Sequence, residues 1–259
     1  MSFLRLARVH ARMARRQSAL WAVSILLTLI AVGIALIAMP DLAKPTGSQV
    51  DLAFLGQTLG LVPAIAYAAA FTDLASAPAR LGIMEIEDST PVSPVKLLAA
   101  RVTGMLWVMI WPSAVALVVC GFMQSPNGFL SVLTALAVFA ATVAPLAFLA
   151  AALSAFIGSL LPQALARITA AAAWCVVVCF TTFAPMPVGA SRSKMGVVTD
   201  AICQGFFGCQ PVIDLDAMGG SAAYTAFDAS LLLVLRIALT LALVAVAALI
   251  SRKRKFQRK

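Results

Sequence analysis

The chain has 259 residues, of which 62% are hydrophobic and 11% are charged, and its mean hydropathy is +1.00. A soluble domain carries about 25% charged residues, so this composition excludes a soluble globular protein and indicates several membrane crossings. The net charge of +9 is then interpreted as a signal of membrane topology and not of nucleic-acid binding.

The amino end predicts an amphipathic helix at residues 1–18. Its basic residues recur about one helical turn apart while apolar residues fall on another side, which is typical of a helix in the membrane interface. The basic residues are Arg5, Arg8, Arg12, Arg15 and Arg16. A basic arm that only orients the first span is the alternative.

Six apolar runs follow, and each is long enough to cross a bilayer, which takes about 20 residues. They lie at residues 19–39, 52–72, 97–122, 129–157, 164–184 and 230–250. The runs are continuous and not alternating, so we expect helices and not strands, within a single transmembrane domain over 1–259. The first run is longer than the apolar core of a cleaved signal peptide, and we expect it to be retained.

Charged residues are distributed unevenly between the two sides of these spans. Most of the 19 basic residues fall in the amino end, the second loop, the fourth loop and the tail 251–259. Basic loops stay in the cytoplasm, so we expect both termini there and the long segment 185–228 outside. Basic residues beside a span normally contact lipid headgroups, so membrane lipids are expected partners and nucleic acid is not.

Residue types that carry out catalysis are scarce. The one histidine, His10, lies in the basic arm, so neither a zinc site nor a histidine-based triad can be built. The chain has no G-x-x-x-x-G-K-[ST] loop for nucleotide phosphates, and its spans lack the acidic pairs of proton relays or intramembrane proteases. We therefore expect no catalytic residue, no metal ligand and no cofactor on this chain.

Two features of the outer region have more than one interpretation. Cys203 and Cys209, in "CQGFFGC", are close enough in sequence for a disulfide in an oxidising compartment, but two free thiols fit as well. Arg236 lies a turn or two inside the last span. It either snorkels outward, pairs with an acid such as Asp228, or contacts an anionic substrate group.

The loop between spans two and three holds an unusual group of acids and prolines, "EIEDSTPVSPVKLLAAR", at residues 85–101. Residues 80–88 fit a short amphipathic helix on the membrane surface, and Pro91 ends it. Extended backbone precedes each proline. Ser93 or Lys96 then begins the next helix, whose early turns hold Arg101 at the level of the headgroups.

With these elements the sequence resembles the permease subunits of ATP-binding-cassette exporters of the type-2 permease family. Members combine six spans, cytoplasmic termini, an amphipathic elbow helix, a cytoplasmic coupling helix after span two, a "TPVS"-like turn, and a long outer segment after span five. The matching stretch is "RLGIMEIEDSTPVSPVKLLAARVTG", residues 80–104. The resemblance covers nearly the whole chain in topology but only this stretch in motif.

The resemblance implies a division of labour between chains in the bacterial cytoplasmic membrane. A separate ATPase subunit would hold ATP and Mg, and two permease copies or paralogues would pair to export an amphiphilic drug, peptide antibiotic or lipid-like substrate. The ATPase-coupling residues that it implies are Arg80, Glu85, Glu87, Asp88, Pro91 and Arg101. Complementary charge would select the ATPase, and a solvated turn without a partner is the alternative.

The substrate path is expected among polar or amphipathic side chains of the spans. These are Gln57, Thr58, Tyr67, Thr169, Trp174 and Arg236. Spans two and five would face the second permease in this family, although the same residue types also serve helix packing. Prolines inside the spans predict kinks at Pro63, Pro112 and Pro145.

Three other functions are consistent with the sequence. A bacteriocin or lantibiotic immunity permease shares the whole architecture. A substrate-binding subunit of an uptake system also borrows an external ATPase but does not need a charged coupling turn, and a structural membrane protein needs no such partner. An ATPase with a phosphate-binding loop, encoded beside this chain, would favour the exporter or immunity interpretations.

Overall fold

The computed structural model describes residues 2–74, 92–124, 129–183, 201–208 and 224–256, and these residues are helical without a strand. In chain order the α-helices are α1 (Phe3–Arg15), α2 (Ser18–Ala38), α3 (Gln49–Ala70), α4 (Pro94–Met109), α5 (Trp111–Met123), α6 (Phe129–Val138), α7 (Ala144–Leu160), α8 (Gln163–Phe183), α9 (Ala201–Phe207) and α10 (Ala226–Phe256). Short 3-10 turns, Pro40–Ala43 and Phe71–Asp73, flank α3, and a π-helical turn, Phe139–Val143, joins α6 to α7.

Several of these helices are long and apolar enough to cross a membrane. Within the described residues, four pass by length and hydropathy: Ser18–Ala38, Gln49–Asp73, Phe129–Leu160 and Ala226–Arg252. The pair α4 and α5 passes together but is bent by 44°, and as one span it raises the number to five. The chain is therefore an all-α, multi-pass membrane protein by the length and composition of its helices. α8 coincides with the predicted span 164–184 but is not among the five, so six spans stay a prediction.

Capping residues set two of the helix starts. Ser48 accepts a hydrogen bond from the backbone N–H of Asp51 at 3.4 Å and caps α3. Ser93 accepts one from the backbone N–H of Lys96, also at 3.4 Å, and Pro94 follows it in the first turn of α4. Of the two predicted helix starts, Ser93 and Lys96, the structure has Ser93.

α3 forms the centre of the bundle. It packs against α2, α6, α7 and α8, and every residue from 52 to 60 is buried, so this stretch is covered on all sides. α10 packs against α4, α7 and α9. The core therefore lies around α3 and α7, while α2 and α10 keep wide faces exposed.

α7 meets the turn Phe71–Asp73 with no side chain between the two backbones. A Cβ at Gly158 would collide with the backbone carbonyl of Thr72, so only glycine fits this contact. The contact brings the end of α3, the end of α7 and the start of α8 to one end of the bundle. Because residues 75–91 follow α3 there, we call it the 75–91 end.

Candidate functional site

One of the predicted ATPase-coupling residues lies in the described part of the chain. Arg101 is on α4 and is half-buried. The remaining five lie outside the described residues: Arg80, Glu85, Glu87, Asp88 and Pro91. The geometry next to the coupling segment is therefore defined by the helices that border it, α3 and α4.

A polar cluster at the 75–91 end joins the end of the second span to the start of α8. Gln163 donates from Nε2 to the Asp73 carboxylate at 2.5 Å, and Arg167 pairs with the same oxygen at 3.0 Å. We call these three residues the Asp73 cluster. The side chain of Arg167 is 53% exposed, so water screens the ion pair and its net stabilisation is about 0–1 kcal/mol. Its role is positional, because it holds the ends of the predicted second and fourth loops together.

The charge pattern of the sequence places Arg167 in an inner loop and gives Asp73 no role. The sequence does contain a sign of this ion pair. Asp73 follows one predicted span and Arg167 begins another, and their loops are predicted to share one side of the membrane. The sequence does not show which spans are neighbours in the bundle. The Asp73 cluster therefore emerges only from the packing of α3 against α8.

α1 packs against α4 at close range. A Cβ at Gly104 would collide with the carbonyl oxygen of Ala7 and lie 2.9 Å from the Cβ of His10, so glycine lets the two helices touch. His10 is half-buried here, and its burial together with the positive charge of Arg101 lowers the pKa of His10 below its ordinary 6.5. The predicted amphipathic helix is present as α1, packed on the third span, while its place in the membrane interface stays a prediction.

The third span is broken near its middle at Pro112. Proline has no N–H for the carbonyl four residues earlier; α4 ends at Met109, α5 begins at Trp111, and the two axes differ by 44°. The kink predicted there is confirmed. The Met109 carbonyl turns to neighbouring helices and accepts hydrogen bonds from the Ser24 hydroxyl of α2 and, at 3.2 Å, the Tyr67 hydroxyl of α3.

A second pair of hydroxyls links α2 to α5. The side-chain oxygens of Thr28 and Ser113 are 3.3 Å apart, with one donating to the other. Ser24, Thr28, Tyr67 and Ser113 are at most 4% exposed, and we call them the hydroxyl cluster. Pro112 removes the helical donor of the Val108 carbonyl, whereas the Ser24 and Tyr67 hydroxyls act on the neighbouring Met109 carbonyl. They therefore link α2 and α3 to the bend by hydrogen bonds between helices.

Two further predicted path residues are buried on α3, ten and nine residues before Tyr67. Gln57 is fully buried, and Thr58 donates its hydroxyl proton to the carbonyl of Leu55 in its own helix at 2.9 Å. Thr58 is therefore satisfied locally. Tyr67 reaches another helix, because its hydroxyl donates to the Met109 carbonyl of α4 at 3.2 Å, and it belongs to the hydroxyl cluster.

The remaining path residues differ in burial. Trp174 on α8 is fully buried, and its indole N–H has no hydrogen-bond partner among the described residues. Thr169 on the same helix is exposed, and Arg236 on α10 is half-buried. The structure thus separates Thr169 from the buried members of the predicted path.

Cys203 lies on α9, which packs against α3 and α10. Its side chain is buried, and the sulfur donates to the Ala53 carbonyl at 3.2 Å. Cys209 lies outside the described residues, so a disulfide between the two stays a prediction. Such a disulfide would end the bond to Ala53, because its sulfur would have no proton to donate.

Among the described residues, no group of three His, Cys, Asp or Glu side chains lies close enough to hold a metal ion. No protein-family model matches the chain, and no curated protein or solved structure matches it either. Two arrangements carry the functional argument. One is the 75–91 end, with the Asp73 cluster and the contact of α1 with α4, and the other is the hydroxyl cluster at the bend.

Proposed function

We propose that this chain is the membrane-spanning subunit of a bacterial ATP-driven exporter, with six spans, cytoplasmic termini and an amphiphilic substrate. A separate ATPase subunit, carrying ATP and Mg, would dock on residues 80–101, and a second permease copy or paralogue would complete the transporter. The observation that carries the proposal is the construction of the third span. α4 begins just after the coupling segment, is packed against α1 at Gly104, and ends at a bend supported by hydroxyl donors.

This construction supports a lever mechanism for the third span. A pull on the coupling segment would act on Pro94 at the start of α4, and α1 would move with α4 because their backbones touch at Gly104. The bend before Pro112 would absorb the change of angle, as element ends do in hinge motions. Met109 accepts from both Ser24 and Tyr67, so one hydroxyl would keep the carbonyl paired while the other shifts.

Charge selects the partner in this proposal. Glu85, Glu87 and Asp88 would place negative charge in a basic groove on the ATPase, where complementarity governs partner choice more than affinity. Arg101 has a different task, since it lies at the contact of α1 with α4, close enough to lower the pKa of His10. It would transmit the pull on the coupling segment to α1.

The proposed route of the substrate follows α3. Gln57, Thr58 and Tyr67 are at most 2% exposed, so an amphiphile would reach their polar groups only when the helices around α3 separate. Polar groups within apolar surroundings suit a drug, a peptide antibiotic or a lipid-like molecule. An immunity permease would use the same machinery and differ only in its cargo.

Co-purification tests the proposal. The native chain and the variant Glu85→Ala/Glu87→Ala/Asp88→Ala are each expressed with the neighbouring genes, and the bound ATPase is quantified. We expect a nucleotide-binding subunit with the native chain and at least a tenfold loss with the variant, because three charges of the interface are removed. Asp41→Ala is the control, since Asp41 is exposed at the far end of α2 and pairs only locally with Lys44.

An absent ATPase on the native chain would contradict the exporter proposal. Equal retention by native chain and triple variant would leave the ATPase in place but remove the acidic residues from the interface. Loss of the ATPase from the Asp41→Ala control as well would mean that the triple variant acts through folding.

A further inference from the structure

α1 presents three distinct faces around its axis. Ala7, His10, Ala11 and Ala14 are the buried or half-buried residues of the face toward α4, and the first three lie at or near Gly104. At about 3.6 residues per turn these positions form one continuous stripe. α1 is thus anchored on one side, and its other two sides are available to a partner.

The second face is strongly basic. All five arginines near or on α1 are exposed, and α1 has no acidic residue. None of the five forms an ion pair with another described residue. The five are Arg5, Arg8, Arg12, Arg15 and Arg16. A row of guanidinium groups without acidic neighbours is complementary to an anionic partner, and the planar guanidinium suits phosphate oxygens in particular.

The third face is apolar and exposed. Val9 is 47% exposed and Met13 is 58% exposed, and the two lie four residues apart on the flank between the arginines and the face toward α4. Half-buried Leu6 continues this flank toward the bundle. A partner for α1 must therefore offer negative charge to one flank and apolar cover to the other.

Chain connectivity fixes where this surface lies. α1 ends at Arg15 and α2 begins at Ser18, and α2 is one of the helices able to cross the membrane. The last arginines are therefore held within one turn of the end of a span, at the boundary between hydrocarbon and headgroups.

We propose that α1 is a binding surface for anionic phospholipid. The arginine row contacts the phosphate groups, Val9 and Met13 insert between the upper acyl chains, and the bound lipid holds α1 against α4. A nucleic acid or an acidic protein satisfies the charge but leaves the apolar flank without cover. This inference concerns the lipid around the chain and stands whether or not an ATPase binds.

The test measures thermal unfolding of the purified chain in a neutral detergent, with added phosphatidylglycerol or phosphatidylcholine. We expect phosphatidylglycerol to raise the midpoint by several degrees more than phosphatidylcholine does, since ligands of the folded state stabilise it. In Arg5→Gln/Arg8→Gln/Arg12→Gln, half-maximal stabilisation should need at least tenfold more phosphatidylglycerol. The matched variant Arg5→Lys/Arg8→Lys/Arg12→Lys keeps the charge and should keep most of the shift.

Several outcomes would overturn the proposal. These are equal midpoints in the two lipids, an unchanged response of the glutamine variant, or the same loss in the lysine variant as in the glutamine variant. Inorganic phosphate reproducing the shift would show a site for free phosphate, and a single-stranded oligonucleotide acting at lower concentration would favour nucleic acid. If the glutamine variant does not fold, the native chain is instead measured in both lipids at increasing salt concentration. The advantage of phosphatidylglycerol must shrink as salt rises, and a constant advantage rejects a charge-based site.

Discussion

α3 and α10 are both long enough to span a membrane, yet α3 is the less apolar and the more buried of the two. The segment Gln49–Asp73 has a mean hydropathy of 1.5 and is 72% buried, whereas Ala226–Arg252 reaches 2.7 and is 17% buried. α2 resembles α10, with a mean hydropathy of 2.7 and 22% of its span buried. The helix at the centre of this protein is thus less apolar than the helices at its periphery.

The difference teaches what holds the bundle together. Lipid tails are as apolar as leucine, so a span gains little from turning leucine inward, and association depends on close packing and hydrogen bonds. α3 accordingly buries Gln57, Thr58 and Tyr67. α10 instead turns large apolar side chains such as Leu231 and Leu241 outward. A hydropathy value in this chain therefore reports exposure to lipid and not depth in the core.

We expect the largest effect when one methyl group is added in the interior, compared with one added at the periphery. Gly158→Ala places a Cβ against the Thr72 backbone, which cannot move without shifting the end of α3. We expect it to lower the free energy of unfolding by about 1–3 kcal/mol, as overpacked interiors do. Gly33→Ala is the matched control on α2, because no atom lies within 4 Å of its added Cβ. Unfolding titrations in mixed micelles measure both.

The control should lose no stability and should gain up to about 1 kcal/mol, because alanine favours a helix where its methyl group meets no other atom. Equal losses in the two variants would mean that glycine is needed for a property of helices in general. Equal tolerance would mean that α7 and the turn at Thr72 separate easily, and the contrast between interior and periphery would fail at this contact.

A smaller effect tests hydrogen bonding at the bend. Ser24→Ala or Tyr67→Phe alone should cost about 0.6 kcal/mol, the average for a bond between helices in a membrane. Each leaves the Met109 carbonyl one donor. The double variant leaves that carbonyl without either donor, so we expect it to lose about 1–3 kcal/mol, more than the sum of the two singles.

Thr134→Val is the control at the periphery for the Ser24→Ala and Tyr67→Phe variants. Its hydroxyl is exposed and donates only to the Leu130 carbonyl of its own helix, at 3.1 Å. Strict additivity of Ser24→Ala and Tyr67→Phe would show that the two hydroxyls do not share the carbonyl. The cost of Thr134→Val should fall below that of either single variant.

The smallest effect concerns α1, which meets both protein and water. Burial and Arg101 lower the pKa of His10 in the folded protein, so the unfolded chain takes up the proton first as the pH falls. Stability from the neutral imidazole is complete above pH 6.5 and decreases as the pH drops below that value toward the folded-state pKa. His10→Gln should flatten this part of the stability profile, measured by unfolding from pH 8 to pH 5. An equal slope in native protein and His10→Gln would assign the decrease to other groups.

The sequence predicted the positions of the helices well because length and apolarity alone determine them. The run 19–39 appears as Ser18–Ala38, and the run 129–157 lies within Phe129–Leu160. Proline chemistry predicted the break at Pro112 for the same local reason. It did not distinguish Pro63, which lies inside continuous α3, or Pro145, which occupies the first turn of α7 after the π-helical turn.

The candidate site was less predictable because it depends on which helices are neighbours. Tyr67 was selected as an amphipathic residue in a span, but its partner, the Met109 carbonyl, is a backbone group that any residue supplies. Thr169 and Trp174 received the same interpretation, although one is exposed and the other buried. Asp73 was overlooked because its partners begin a helix far along the chain. Local sequence patterns therefore predict the helices, whereas the residue pairs between helices follow only from how the helices pack.

The Asp73 cluster also has a consequence for biogenesis. Asp73 and Arg167 are 94 positions apart, so a ribosome adding about 5–20 residues per second completes the pair roughly 5–20 s after Asp73 is made. During that interval α3, whose segment has the lowest mean hydropathy of the four that qualify singly as spans, is in the membrane before the helices that will cover it, α7 and α8, have been synthesised. Newly made α3 therefore exposes the polar side chains of Gln57, Thr58 and Tyr67, which are buried in the finished bundle, until α7 and α8 arrive.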